Sequence, residues 1–239
     1  MSEHIFSQDA YQRGCEAQVV AVNERGGIVL DRTVFYATSG GQPGDSGRLV
    51  LADGRAIEIA TTVKGDAPGE IVHVPAADQP LPSPGDEVTA EIDWERRLNL
   101  MRMHTACHLL SVACPYPITG ASVGERESRV DFDIPDATLD REALSGVLNE
   151  MVRAGHHVWT RWIDEAELDA NPAIVKSKNV RPPRGAGRIR LVMIGDNGDV
   201  DSQPCGGTHV ASTAEIGGLV VTKIEKKGRE NRRVRIALA

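Results

Sequence analysis

The stretch around which this chain is organised is Met103-His104-Thr105-Ala106-Cys107-His108-Leu109-Leu110. Its flanks continue a helical pattern of side chains that predicts one helix of roughly 20 residues, through Leu98, Met101, Thr105, Leu109 and Val112. Asp93 fits the N-cap of this helix, and Pro115 ends it. His104 and His108 then leave the same face about one turn apart. Two ligands of a single metal ion need this spacing.

A second pair of candidate ligands lies far downstream in Gln203-Pro204-Cys205-Gly206-Gly207-Thr208-His209-Val210. Cys205 and His209 are again four residues apart, here in a glycine-rich turn that allows close backbone approach. One thiolate and three imidazoles suit tetrahedral zinc. We therefore predict one zinc ion per chain, held by His104, His108, Cys205 and His209. Cys107 and Cys114 are interpreted as packing residues of the helix.

Composition limits the class of protein. With 239 residues and 41% hydrophobic residues, the chain can form one large domain or two small ones. No apolar run is long enough to span a membrane, and the N-terminus lacks the layout of a secretion signal, so we expect a soluble, cytoplasmic protein without a membrane partner. Four cysteines are too sparse to suggest disulfides. A net charge of −7 argues against non-specific coating of nucleic acid.

Residues 1–92 show short β-type segments separated by turn residues, which predict a small β-barrel-like domain. The segments are Gln18–Asn23, Gly27–Leu30, Thr33–Ala37, Arg48–Leu51, Arg55–Thr62 and Glu70–Val74. Between them, Ser39–Gly47 holds four glycines and one proline. Such a segment is usually only a turn. The functional alternative is that it helps to shape a substrate pocket, with Gly40, Gly41 and Gln42 as candidate binding residues.

Residues 93–239 mix helices and strands in an order that predicts an α+β fold, an α/β two-layer domain with helices on one face of a sheet. The expected strands are Ser128–Ile134, Val158–Ile163, Gly187–Ile194, Leu219–Glu225 and Arg232–Leu238. After the first helix, two more are expected, from Thr138 to Gly155 and from Asp164 to Ala170. Loops are expected at Arg181–Gly187 and Asn197–Gly207.

The residue after the first histidine narrows the chemistry of the site. Helical zinc proteases keep a glutamate there as general base, whereas this chain has Thr105. The zinc is therefore either structural or part of a reaction that needs no adjacent carboxylate. Four protein ligands usually close a zinc site, whereas catalysis requires an exchangeable position. A weakly bound ligand, five-coordination or a metal that only anchors the substrate would reconcile the two.

Four segments together resemble the editing domain of alanyl-tRNA synthetases: His104–Leu110, Arg129–Phe132, Cys205–His209 and Thr213–Gly217. Thr33–Tyr36 and Ser39–Gly47 are similar to the glycine-rich segment that precedes that domain. The resemblance covers nearly the whole chain. Because no aminoacylation domain is recognisable, the chain most resembles the free-standing alanyl-tRNA editing proteins of the AlaX type, in their longer form.

This resemblance implies an aminoacyl-tRNA hydrolase that releases serine, and in many members glycine, from the acceptor end of mischarged tRNA(Ala). It implies that His104, His108, Cys205 and His209 bind zinc. Our hypothesis is that this zinc fixes the aminoacyl end of the tRNA and that a metal-associated water attacks the ester carbonyl. Serine is best told from alanine by a hydrogen bond that alanine leaves unmade. The candidates for this contact are Thr105, Thr119, Ser122 and Thr208.

Seven basic and two acidic residues lie between Lys223 and Arg235. They form either a solvated strand edge or a contact for acceptor-stem phosphates, with Arg232 and Arg233 as binding residues. Four more arginines could extend the patch, namely Arg181, Arg184, Arg188 and Arg190. Two rival functions stay open: a zinc-stabilised tRNA-binding module without catalysis, and a hydrolase of another small ester or amide. The sequence does not fix the oligomeric state, although a monomer is favoured.

Overall fold

A computed structural model describes residues 2–134, 139–179 and 187–239. The chain divides into two compact units, Met1–Leu98 and Asn99–Ala239. The sequence placed the domain boundary between residues 92 and 93, at the start of the long helix, whereas the first turn of that helix clusters with the first unit. None of the helices within the described ranges is long and apolar enough to cross a membrane.

The first unit contains eight strands: β1 (Glu3–His4), β2 (Gly14–Val22), β3 (Ile28–Leu30), β4 (Arg32–Thr33), β5 (Gly47–Leu51), β6 (Ala56–Lys64), β7 (Ile71–Pro75) and β8 (Glu87–Ile92). Six of them close into a barrel in the order β2-β3-β7-β6-β5-β8. All barrel pairs are antiparallel. This confirms the predicted β-barrel-like domain. The short strands β1 and β4 form a separate parallel pair.

Alternate residues of the barrel strands fill its interior. In β2, Ala17 and Val19 are buried while Gln18 and Val20 are exposed, and in β6 the same holds for Ile57 against Glu58. A strand shows this period of two when one face meets the core and the other meets water. The alternation was visible in the sequence, which explains why the barrel was predictable.

Two details of the first unit differ from the prediction. Thr33–Ala37 was expected to be a strand, but strand structure ends at Thr33. The rest is buried, and its backbone is bonded partly by side chains: Tyr36 N–H donates to Asp45 Oδ2 at 2.6 Å, and Val34 C=O accepts from Arg97. Strand β8 was not predicted, because the Pro/Gly-rich residues before it hid its beginning.

Helix α1 (Trp94–Ala113) begins in the first unit and continues into the second. Its 20 residues match the predicted length, and the Asp93 side chain accepts a hydrogen bond from Arg96 N–H at 3.1 Å, as an N-cap does. The remaining elements are β9 (Ile118–Ser122), β10 (Glu127–Asp133), α2 (Arg141–Ala154), β11 (Val158–Ile163), α3 (Glu165–Ala170), β12 (Ile189–Ile194), β13 (Asp201–Pro204), β14 (Leu219–Lys226) and β15 (Asn231–Leu238).

The α+β class is confirmed, but the strands of the second unit form two sheets where a single sheet was expected. One has the order β14-β15-β10-β9 and the other β11-β12-β13. Helix α2 is capped by Asp140 and ends at Gly155 with φ +63°. The predicted helix start at Thr138 lies outside the described residues, as does the predicted loop at 181–187 except for Gly187.

Strand β13 corrects the prediction of one long turn over Asn197–Gly207. Its residues Asp201, Ser202 and Gln203 are polar and carry no β pattern of their own. They pair with β12, in which all six residues are buried, so the strand is imposed by its neighbour. This strand matters for function because it leads directly to Cys205.

Candidate metal centre

Helix α1 positions the two imidazoles of the first pair. His104 and His108 are 6% and 5% exposed, and their ring centroids are 5.4 Å apart. Spacing of four residues brings side chains onto one helical face, and the apolar residues around them keep this face inside the unit. Leu100, Met103 and Leu109 have no exposed area.

The turn after β13 positions the second pair, and Arg190 of β12 holds this turn. Cys205 N–H donates to Arg190 C=O at 3.1 Å. The Arg190 guanidinium in turn donates to the carbonyls of Cys205 at 3.0 Å and Gly207 at 2.8 Å. Gly207 N–H points back at Cys205 Sγ at 3.4 Å. These bonds aim the sulfur inward, and His209 follows on the same turn.

All four predicted ligands converge. Their ligand atoms lie within 4.8 Å of one another. Cys205 Sγ lies 3.5 Å from His104 Nε2 and 3.4 Å from His209 Nε2. In a tetrahedral zinc site with bonds of about 2.1 Å to nitrogen and 2.3 Å to sulfur, neighbouring ligand atoms are about 3.5 Å apart. The spacing and the donor types both fit this geometry.

Two side chains outside the cluster orient its imidazoles. His108 Nδ1 lies 3.0 Å from Asp201 Oδ2, and His209 Nδ1 lies 3.1 Å from Thr105 Oγ1. The Thr105 hydroxyl donates to Met101 C=O at 2.9 Å, so it accepts from His209. Each Nδ1 therefore carries its proton outward and leaves Nε2 for a metal, the arrangement usual for histidine ligands.

Asp201 belongs to a larger polar network that sequence reasoning missed. Asp201 Oδ1 accepts from Lys176 Nζ at 2.5 Å, and Asp201 Oδ2 also accepts from Gln203 Nε2 at 2.7 Å. Burial raises the pKa of Asp201, but His108 and Lys176 outweigh it and lower that pKa to about 2. The one sequence signal for this contact was an acidic residue four positions before Cys205, but that segment was interpreted as a turn.

Burial and charge set the protonation of the ligands. Burial raises the pKa of the Cys205 thiol, but the imidazoles of His104 and His209 outweigh it and hold that pKa well below its usual value. Burial, and next the neighbouring His104, lower the pKa of His209 to about 3. Burial also lowers the pKa of His108, but Asp201 and Cys205 outweigh it and raise the value to about 9.

The whole chain is similar to known proteins. An "Alanyl-tRNA editing protein AlaX-M" of Methanosarcina acetivorans is 34% identical over 246 residues, which cover 100% of this chain and 99% of the relative. The chain belongs to the AlaX-M family of alanyl-tRNA editing proteins. The predicted resemblance is thereby confirmed.

Further matches agree with this family. The AlaX-M protein of Saccharolobus solfataricus is 33% identical and covers 98% of both chains. An "Alanine--tRNA ligase" of Pyrobaculum arsenaticum is 37% identical, and the match covers 94% of this chain but 25% of the ligase. Residues 189–235 match the "Threonyl and Alanyl tRNA synthetase second additional domain", and residues 7–96 match "tRNA synthetases class II (A)".

The glycine-rich segment lies in the first unit. Gly40 and Gly41 have φ values of +56° and +86°, and backbone hydrogen bonds join Ser39 and Gln42 in both directions. Positive φ at both central residues is typical of a type I′ turn, which favours glycine. Gly44 is fixed by packing, since a Cβ there would lie 1.9 Å from Thr62 O. The segment is thus a shaped turn, and its contact with substrate stays a prediction.

The four candidate hydroxyls differ in their surroundings. Thr105 and Thr208 are fully buried, whereas Ser122 is exposed and Thr119 half-buried. The Thr119 hydroxyl donates to Asp131 C=O at 3.2 Å and accepts from Asn231 at 2.7 Å. Their role in reading serine stays a prediction.

The basic hairpin of β14 and β15 is partly neutralised by its own sheet. Arg233 makes two hydrogen bonds to the Asp131 carboxylate, at 2.7 and 2.9 Å. Arg235 binds Glu225 and Glu127, both at 2.8 Å. Arg232 donates to backbone carbonyls of the hairpin turn. Of the four further arginines, Arg190 of β12 is buried and binds the ligand turn, and Arg188 is exposed. Arg181 and Arg184 lie outside the described residues.

Proposed function

We propose that the protein is a zinc-dependent hydrolase that deacylates mischarged tRNA(Ala), carrying serine or glycine, at the acceptor end. The observation that carries this proposal is the convergence of His104, His108, Cys205 and His209 in a chain of the alanyl-tRNA editing family. The donor set is the soft and borderline one that zinc prefers. The protein would therefore be an aminoacyl-tRNA hydrolase, acting on a carboxylic ester in the cytoplasm.

Some residues of the chain would bind the metal, and others orient the side chains that bind it. A bound zinc would supply Lewis acidity to the ester carbonyl or the attacking water. Cys205 offers its thiolate, which the low pKa of this residue favours. Asp201 and Thr105 fix the rings of His108 and His209. Thr105 thus takes a positioning role where helical zinc proteases have a general base, which supports chemistry without an adjacent carboxylate.

Rejection of alanine requires a hydrogen-bonding partner for the serine hydroxyl. Thr105 fits this task poorly, because its hydroxyl already donates to Met101 C=O and accepts from both His209 and Val210 N–H. A hydroxyl has one donor and two acceptor positions, so this side chain is saturated. Thr119, Ser122 and Thr208 stay as candidates for the serine contact.

One assay separates this proposal from its rivals. Purified protein should discharge Ser-tRNA(Ala) and Gly-tRNA(Ala) but spare Ala-tRNA(Ala), as measured by release of the labelled amino acid. A tRNA-binding module without catalysis would discharge none of them. A general esterase would discharge all three, so either pattern would refute the proposal.

Asp201→Asn should weaken zinc binding by about 10- to 100-fold, because the ring of His108 loses its anionic partner. Competition with a chromophoric chelator measures the affinity without relying on activity. Asp133→Asn is the matched control, since Asp133 pairs with the exposed Lys178 and is not one of the four clustered ligands. Equal zinc affinities for the two variants would contradict the assigned role of Asp201.

Salt should raise the KM for Ser-tRNA(Ala) if the basic hairpin contacts phosphates. Arg233 and Arg235 are bound to acids, whereas Lys226 and Arg229 are exposed and have no acidic partner among the residues that the structure describes. Replacing Lys226 and Arg229 with glutamine should reduce the salt slope by about 2, one unit for each lost phosphate contact. Arg55→Gln on the barrel is the control. A KM independent of salt would remove the hairpin from the interface.

A further inference from the structure

One tryptophan is exposed on the sheet that carries Cys205. Trp162 of β11 is 48% exposed, and it is the one aromatic residue among the large hydrophobic side chains that the described part of the chain exposes. Trp159 on the same strand is half-buried and packs in an apolar cluster with Ile163 and Leu191. An exposed indole offers a flat aromatic face on which an unpaired base can stack.

The register of the strands shows which face Trp162 occupies. Trp162 lies opposite Arg190 on β12, and Cys205 N–H donates to Arg190 C=O at 3.1 Å. Residues directly opposite on antiparallel strands share a face. Trp162 of β11, Arg190 of β12 and Cys205, directly after β13, therefore form one row, and the third member of this row is a candidate metal ligand.

Neighbouring rows confirm that this is the face of the metal centre. Next along β12 comes Val192, opposite Gln203, and then Ile194, opposite Asp201. Gln203 donates to Ser111 of α1, and Asp201 binds His108 of α1. Helix α1 therefore lies against this face of the sheet at β13. Trp162 lies on the opposite edge strand, β11, at the exposed end of this face. Two strand spacings of about 4.8 Å put it about 10 Å from the ligand turn.

We propose that the indole of Trp162 is the stacking platform for the terminal unpaired adenine of the tRNA acceptor end. This inference rests on the proposed function, which places the aminoacyl ester at the metal centre. The adenine is attached to the same ribose as the ester, so the base has to bind within one nucleotide of the metal. Unpaired RNA bases bind characteristically by stacking on aromatic side chains.

The same row fixes where Trp162 lies relative to the ligand turn. Arg190 is 9% exposed and fixed to the carbonyls of Cys205 and Gly207, so it is a rigid spacer between the ligand turn and the indole. The platform is built on a strand and not on a loop, which holds its distance to the metal constant. Stacking is tolerant of base identity, so Trp162 contributes affinity and orientation while the metal centre reads the amino acid.

Steady-state deacylation of Ser-tRNA(Ala) tests the platform. Trp162→Ala should raise KM about tenfold, equivalent to about 1.4 kcal/mol, with kcat nearly unchanged and zinc content intact. Trp162→Tyr should retain most of the affinity, because it keeps an aromatic face. A substrate with an abasic terminal nucleotide should lose affinity for the wild-type protein but not for Trp162→Ala. An equal loss for both proteins, or an unchanged KM for Trp162→Ala, would overturn the proposal.

A binding measurement keeps the platform and the proposed function separable. An uncharged RNA hairpin with an unpaired 3′ adenosine should quench the protein's tryptophan fluorescence. Trp159→Phe should keep this quenching, and Trp162→Phe should abolish it. Quenching without deacylation would refute the proposed function and support the platform. If the protein deacylates its substrate but quenching survives in Trp162→Phe, the proposed function is supported and the platform is refuted.

Discussion

His108→Ala and Cys205→Ala should each abolish stoichiometric zinc binding and lower kcat/KM for Ser-tRNA(Ala) by about 10³-fold. The four ligand atoms lie within 4.8 Å of one another and each side chain offers one of them, so each variant removes one ligand from the cluster. A metal ion of this kind contributes several kcal/mol of charge stabilisation, and each 1.36 kcal/mol corresponds to tenfold in rate. Elemental analysis and deacylation kinetics on the same preparations measure the two effects.

Cys114→Ala is the matched control for this prediction. Cys114 follows directly on α1, is 1% exposed and is not one of the clustered ligands. Burial raises its pKa to about 11, so it remains a thiol that packs as a small apolar group. This variant should keep zinc and activity. Full deacylation by zinc-free His108→Ala or Cys205→Ala protein would refute a catalytic metal centre.

The largest expected effect on stability comes from a buried ion pair in the first unit. Arg97 and Asp45 are 0% and 1% exposed, and the guanidinium also donates to Val34 C=O at 2.7 Å and to Ala10 C=O at 2.9 Å. Arg97→Met leaves the carboxylate buried without its cation and should lower the free energy of unfolding by about 3–5 kcal/mol. Denaturant unfolding monitored by circular dichroism measures the loss.

Two further variants make this prediction specific. Arg48→Met breaks an ion pair with Glu91 on the outside of the barrel, where the side chains are 54% and 40% exposed, and should cost less than about 1 kcal/mol. Adding Asp45→Asn to Arg97→Met should restore part of the stability, because no charge is then left buried alone. If Arg97→Met cost no more than Arg48→Met, the pair would not be a stabilising element of the barrel.

The same pair gives a structural reason for part of the glycine-rich segment. Asp45 joins the first turn of α1 through Arg97, and its backbone binds Tyr36 and Thr62. Gly47 adopts φ +156°, and a Cβ there would lie 2.1 Å from Glu91 O. These positions are fixed by packing. Gly40 has no neighbour within 4 Å of a Cβ, so its glycine reflects the turn conformation alone.

The sequence by itself determined the features that depend on local pattern. Helix α1 with two histidines on one face, the alternating barrel strands and the final hairpin all follow from periods of 3.6 and 2 residues. The ligand set was also readable, because Cys205 and His209 repeat the spacing of His104 and His108. Family membership followed from the order of these short motifs along the chain.

Only the tertiary structure decided which distant side chains meet. Asp201 contacts His108 because it lies on β13, a strand that the polar residues of this segment do not predict. Arg97 pairs with Asp45, although no sequence pattern links the two residues. The row from Trp162 to Cys205 depends on the register of three strands. Local periodicity fixes which face of an element is buried, whereas pairing between elements is set by packing and hydrogen bonding across the whole unit. Contacts between residues far apart in the chain therefore leave no periodic signal in a single sequence.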